Sequence, residues 1–98
     1  YNIKTFQFRI KYDDNRYYFV DGYDEKTNTV YEYLGDYWHG NLKLYDSEYL
    51  NKQSKKTMGE LFDATEKRFV KINELEYNIV YIWESSNESK IFSGKLEI

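Results

Sequence analysis

The sequence predicts one mixed α/β (α+β) domain whose elements run in the order β-β-β-α-β. Three observations carry this: two-residue alternation in the first third, one long amphipathic helix, and a short apolar run after it. Residues 1–98 are read as a single domain, since 98 residues is a one-core length. The opening on Tyr1 fits a piece of a longer protein.

In the first strand, from about Thr5 to Tyr12, Phe6, Phe8 and Ile10 share one face and Gln7, Arg9 and Lys11 the other. Asp13-Asp14-Asn15 is a hairpin turn, because short polar side chains tolerate turn geometry. Arg16 to Val20 returns as the second strand, Asp21-Gly22-Tyr23-Asp24 ends it, and Glu25 to Asn28 is a polar turn. Thr29 to Gly35 is the third strand, rich in β-branched and aromatic residues. Gly40 to Lys56 is less regular, with Asp46 placed to cap a short helical turn through Leu50. Thr57 and Glu60 have capping-box spacing. Met58, Leu61, Phe62, Thr65, Phe69, Ile72 and Leu75 then recur at helical steps as a core stripe. Tyr77 to Trp83 reads as a buried strand, Ser85 to Ser89 as loop, and Lys90 to Ile98 as a weak strand or hairpin around Gly94.

Composition narrows the function classes. At 41% hydrophobic and 20% aromatic residues, the chain can build a packed core. It has no cysteine, which excludes disulfides and thiolate metal sites and suits a reducing, intracellular compartment. No apolar run approaches the roughly 20 residues of a membrane span. The net charge of −3 runs against the positive excess usual in nucleic-acid binders. By region the balance differs: residues 1–39 hold 5 Lys/Arg against 7 Asp/Glu, whereas residues 40–76 hold 7 of each.

The candidate chemistry lies around the third strand. Asp21 ends the second strand and Glu32 lies inside the third, and neighbouring antiparallel strands bring two such carboxylates together. Paired carboxylates repel unless a cation sits between them, and Mg²⁺ or Mn²⁺ is the natural occupant because it prefers oxygen ligands. Solvated strand-end acids are the plainer reading of the pair. The run Gly35-Asp36-Tyr37-Trp38-His39-Gly40 then supplies the chain's single His at a strand exit, where a general base is often placed.

Val20-Asp21-Gly22, Val30-Tyr31-Glu32-Tyr33-Leu34, Gly35-Asp36-Tyr37-Trp38-His39-Gly40 and the late Ile82-Trp83-Glu84 resemble the very-short-patch-repair endonucleases. They are also similar to the related homing endonucleases of phages and large DNA viruses, within the PD-(D/E)xK group. The likeness covers roughly Phe6 to Glu84. It implies a restriction-endonuclease-like core, with a metal ion held by Asp21 and the backbone carbonyl of Tyr33, and hydrolysis assisted by His39. It also implies that Tyr37 and Trp38 wedge into the base stack of double-stranded DNA.

Three departures from the family pattern stand out. Leu34 replaces a second His, or the Lys of the broader group, and Asp36, expected on the same strand face, would compensate in part. No structural zinc is expected, since its cysteine ligands are missing. The glutamate-bearing helix that precedes the first strand in related enzymes has no place before Thr5.

The expected function is therefore a Mg²⁺- or Mn²⁺-dependent DNA endonuclease, of the homing type rather than mismatch repair. Asp21, Glu32, Asp36 and His39 form its catalytic set, and Tyr37, Trp38, Lys43, Lys52, Lys55 and Lys56 face DNA. An additional DNA-binding domain or a homodimer is left open. Lys67, Arg68 and Lys71 read as the solvent face of the helix, and Trp83-Glu84 as structural. Two rivals remain: an inactive nuclease-fold module binding DNA or protein, and an unrelated α/β domain making protein contacts through its tyrosines.

Overall fold

The computed structural model describes residues 3–4 and 8–98 of the chain. Thr5, Phe6 and Gln7, the expected start of the first strand, lie outside the described residues. The elements are β1 (Ile3–Lys4), β2 (Phe8–Asp13), β3 (Arg16–Val20), β4 (Gly22–Asp24), β5 (Thr29–Leu34), α1 (Asp36–His39), β6 (Leu50–Asn51), β7 (Lys56–Thr57), α2 (Met58–Glu74), β8 (Asn78–Trp83) and β9 (Lys90–Ile91). The result is a small α+β domain with a mixed sheet and one long helix.

The strand order differs from the expected β-β-β-α-β layout. The main sheet runs β1-β4-β5-β8-β9, while β2 and β3 form a separate two-stranded hairpin and β6 and β7 another. Within the main sheet β4 and β5 are antiparallel, whereas β5 and β8 are parallel, from Thr29 opposite Asn78 to Leu34 opposite Trp83. A parallel pair needs a long crossover, and α2 supplies it. The physical reason for the change is a break at Asp21. The stretch expected to end the second strand continues as β4, which pairs with β5 through Gly22 and Tyr31. The β2–β3 hairpin is thereby left as a separate two-stranded sheet, closed by Asp14-Asn15 between Asp13 and Arg16, with Ile10 and Val20 still in the common core.

Helix α2 forms where its capping box demands. The Thr57 hydroxyl accepts from the Glu60 N–H, and the Glu60 carboxylate accepts from the Thr57 N–H at 2.9 Å. Met58, Thr65, Phe69 and Ile72 are the buried residues of α2, and Phe69 and Ile72 pack with Val30, Leu34, Ile79, Tyr81 and Trp83 of β5 and β8. Phe69 meets Tyr81 and Phe92 edge-on at 5.3 and 5.4 Å. Burying such a ring contributes about 2–3 kcal/mol. Trp83 keeps its indole N–H satisfied by the Glu97 carbonyl at 2.7 Å, so it sits in the core without an orphaned donor.

Two further expectations change. Asp46 caps no helix: the Tyr49 N–H bonds to the Asp46 carbonyl at 3.0 Å in a simple turn. The terminal segment is a strand only at Lys90–Ile91, after which Phe92 and Leu96 tuck into the core. No described helix is long and apolar enough to cross a membrane.

Candidate functional site

The site is built around the break between β3 and β4. Because Gly22 pairs with Tyr31, Asp21 lies beside Glu32. The two acids interlock: the Asp21 N–H donates to Glu32 Oε2 at 3.1 Å, and the Tyr33 N–H donates to Asp21 Oδ2 at 2.8 Å. Asp21 is exposed while Glu32 is buried at 7% accessibility. One carboxylate therefore faces water and the other faces α2.

Arg68 of α2 answers the buried acid. It donates to Glu32 Oε1 at 2.5 Å and to the Phe19 carbonyl at 2.6 Å, and its guanidinium lies over the Tyr18 ring. Its Nε is buried without a partner among the described residues. Burial pushes the Glu32 carboxyl up to about 7, against the downward pull of Arg68 and with a further push from the Asp21 charge. Near neutrality Glu32 is thus poised between its charged and neutral forms. Sequence reasoning placed Arg68 on the solvent face, and the structure corrects this. The missed signal was position: Arg68 precedes the core residue Phe69 and follows buried Thr65 by one turn, so it borders the stripe. A long cation there can reach a lone strand acid.

His39 enters from α1. The one-turn helix follows directly on β5 and closes at Gly40, whose φ of 72° is left-handed. An added Cβ at Gly40 would stand 2.2 Å from the Met58 carbonyl oxygen, so only glycine lets the end of α1 approach α2 this closely. That contact sets His39 against α2, with Nδ1 3.1 Å from Thr65 Oγ1. Burial lowers the His39 pKa, the Arg68 charge lowers it further, and the Asp21 charge opposes both. The uncharged imidazole is therefore favoured at His39, within the electrostatic reach of Asp21 and Arg68.

Asp36 does not join this group. It opens α1 rather than extending the β5 face, and its Oδ1 accepts from Asn41 Nδ2 at 2.8 Å and from Ser85 Oγ at 3.2 Å. Its N–H donates to Glu84 Oε1. The expectation that Asp36 would stand in for a residue at Leu34 meets a buried carboxylate committed to a loop-holding network. Leu34 itself is core, at 1% accessibility.

Most of the residues expected to face DNA are exposed, Tyr37 being half-buried. Trp38 is 53% exposed and packs edge-on against Tyr37, whose hydroxyl bonds to Gln53 of the β6–β7 hairpin. That hairpin carries exposed Lys52, Lys55 and Lys56, and Lys43 is exposed in the loop before it. Tyr45 and Tyr49 extend the aromatic contacts from Tyr37. Segment 40–57 holds four Lys against Asp46 and Glu48, a local charge of +2 in a chain of −3.

Among the described residues no three His, Asp or Glu side chains converge as a ready metal cage. Mg²⁺ does not need one, since it binds through one or two carboxylates and fills its shell with water and substrate phosphate. Asp21, Glu32 and the Tyr33 peptide beside them fit that sparse pattern. They also line a shallow depression of about 290 Å³ with Tyr31, Val80 and Ile82. A larger hollow of about 500 Å³, over Asn41, Lys43, Ser85 and Glu88, includes neither Asp21 nor His39. No family model matches the chain, and neither does any curated protein or solved structure.

Proposed function

We propose that this chain is the core of a Mg²⁺- or Mn²⁺-dependent DNA endonuclease with a restriction-endonuclease-like arrangement. The observation that carries the reading is the interlocked Asp21–Glu32 pair with His39, held on Thr65 and disfavoured in its charged form, within electrostatic reach of it. Asp21, Glu32 and the Tyr33 carbonyl would hold the cation. When bound, it polarises a phosphoryl oxygen and makes hydroxide available near neutral pH. Asp21 suits this task because it is exposed, with its Oδ2 fixed by the Tyr33 N–H. His39 accepts the proton of the attacking water, a role that requires a neutral imidazole. Arg68 supports that role twice: its charge disfavours a protonated His39, and its contact steadies Glu32.

Double-stranded DNA is the substrate of this reading, cut or nicked at a specific site, in a homing-type rather than a mismatch-repair role. Exposed Trp38 and partly buried Tyr37 suit a wedge that unstacks a base step. Lys43, Lys52, Lys55 and Lys56 suit phosphate contacts. A second reading, an inactive DNA-binding module of the same fold, draws on one observation. Both Glu32 oxygens already have partners, and Leu34 supplies no base.

Plasmid cleavage with and without Mg²⁺ separates the two, using this chain, Asp21→Ala and His39→Ala. Metal-dependent nicking lost in both variants supports the endonuclease. Metal-independent DNA binding without cleavage, and no rise in melting temperature with Mg²⁺ or Mn²⁺, transfers the conclusion to the binding module.

A further inference from the structure

We propose that Thr65 is a positioning residue for His39, whose hydroxyl holds the imidazole in the Nδ1–H form and leaves the lone pair on Nε2. A threonine hydroxyl has one proton to give. Thr65 Oγ1 lies 2.9 Å from the Leu61 carbonyl oxygen, which can only accept, and that contact commits the proton. The 3.1 Å contact with His39 Nδ1 must then run the other way, with Nδ1–H donating to Oγ1. Thr65 is 5% exposed, so water has little access to the shared hydroxyl.

The ring is also held from the backbone side. The contact of Gly40 with the first turn of α2 fixes the distance between the two helices at the residue next to His39. Backbone and hydroxyl together define both where the imidazole stands and which nitrogen is free. Among the described residues no side chain bonds to Nε2, so it alone can take a proton from elsewhere. The inference rests on the endonuclease reading for its catalytic consequence, but the tautomer does not depend on that reading.

The test uses the chain's single histidine, whose imidazole ¹⁵N signals need no assignment against others. Spectra are recorded at a pH where His39 is neutral, for wild type, Thr65→Ser and Thr65→Val, each checked for folding by its melting curve. The expected result is a predominant Nδ1–H form in wild type and Thr65→Ser. In Thr65→Val the ratio should move about fivefold toward Nε2–H, the weight of one ordinary hydrogen bond. Cleavage assays on the same proteins should show kcat falling by up to about fivefold in Thr65→Val, in step with the lost Nδ1–H population, with KM little changed and activity restored in Thr65→Ser. A wild type dominated by Nε2–H, or a ratio unmoved in Thr65→Val, overturns the proposal. The expected tautomer pattern in a wild type that never cleaves DNA upholds the positioning contact and overturns the endonuclease reading instead.

Discussion

Replacing Arg68 with Met tests the electrostatics of the site most directly, because it leaves a buried carboxylate without its counter-charge. Two unit charges about 4 Å apart attract by about 4 kcal/mol at an effective dielectric near 20. The Arg68 side chain is 28% exposed and that of Glu32 6%, so solvent screening and side-chain ordering reduce the net coupling to about 2 kcal/mol. The coupling must also depend on pH. Glu32 ionises near 7 in the folded chain, against an ordinary value of 4.5. An acid raised in this way binds more protons folded than unfolded. Its contribution is therefore fully present below 4.5 and is lost as pH rises through 7, by about 3 kcal/mol in all. Arg68 limits that loss, so its removal should be felt mainly where Glu32 is charged. Urea unfolding followed by tryptophan fluorescence would be run on wild type, Arg68→Met, Glu32→Gln and the double variant. The expected coupling energy is about 2 kcal/mol at pH 8.5 and under about 0.5 kcal/mol at pH 5. Equal coupling at the two pH values would refute the reasoning, since the contact would then owe nothing to the charge on Glu32.

Three further outcomes follow from the geometry. Gly40→Ala should cost about 3 kcal/mol or more in thermal unfolding, because the new Cβ meets the backbone of Met58 and Phe62 at a left-handed φ. Thr57→Ala removes one half of the capping box and should lower the stability measured in urea by about 1 kcal/mol. Trp38→Ala should change stability by no more than about 0.5 kcal/mol, since half the ring is already in water. The same variant should abolish DNA bending measured by fluorescence energy transfer between duplex ends, if Trp38 is the wedge.

What could be read from the sequence was local. The Thr57–Glu60 box and the stripe behind it announced α2, because capping and helical periodicity act within a few residues. The turn at Asp14-Asn15 and the buried strand ending at Trp83 were visible for the same reason. Long-range pairing was not. Nothing near Asp21 distinguishes a strand that ends from one that breaks and takes a new partner. Helix α1, at four residues, is too short to leave a periodic signal. Of the candidate site, the neighbourhood of Asp21, Glu32 and His39 was legible from residue type and order. Arg68 and Thr65 were not singled out for it, because their roles appear only once α2 is laid across β5.

The pairing of β5 with β8 bears on how the chain reaches its fold. Thr29 faces Asn78 and Leu34 faces Trp83, so every residue in this central pair meets a partner 49 positions away. Half the chain must be looped out before the middle of the sheet can zip. The entropy of that closure is repaid only when α2 docks over the pair. The β2–β3 hairpin and α2 rest on contacts close in sequence and can form early. The join where β5 runs into α1, at which the Leu34 carbonyl accepts from the Glu84 N–H, can close only once β8 lies beside β5. Fluorescence from Trp83, buried in the closing strand, should rise with the slowest folding phase, and a nascent chain cut short of residue 83 would carry Asp21 and His39 on a scaffold that has not yet closed.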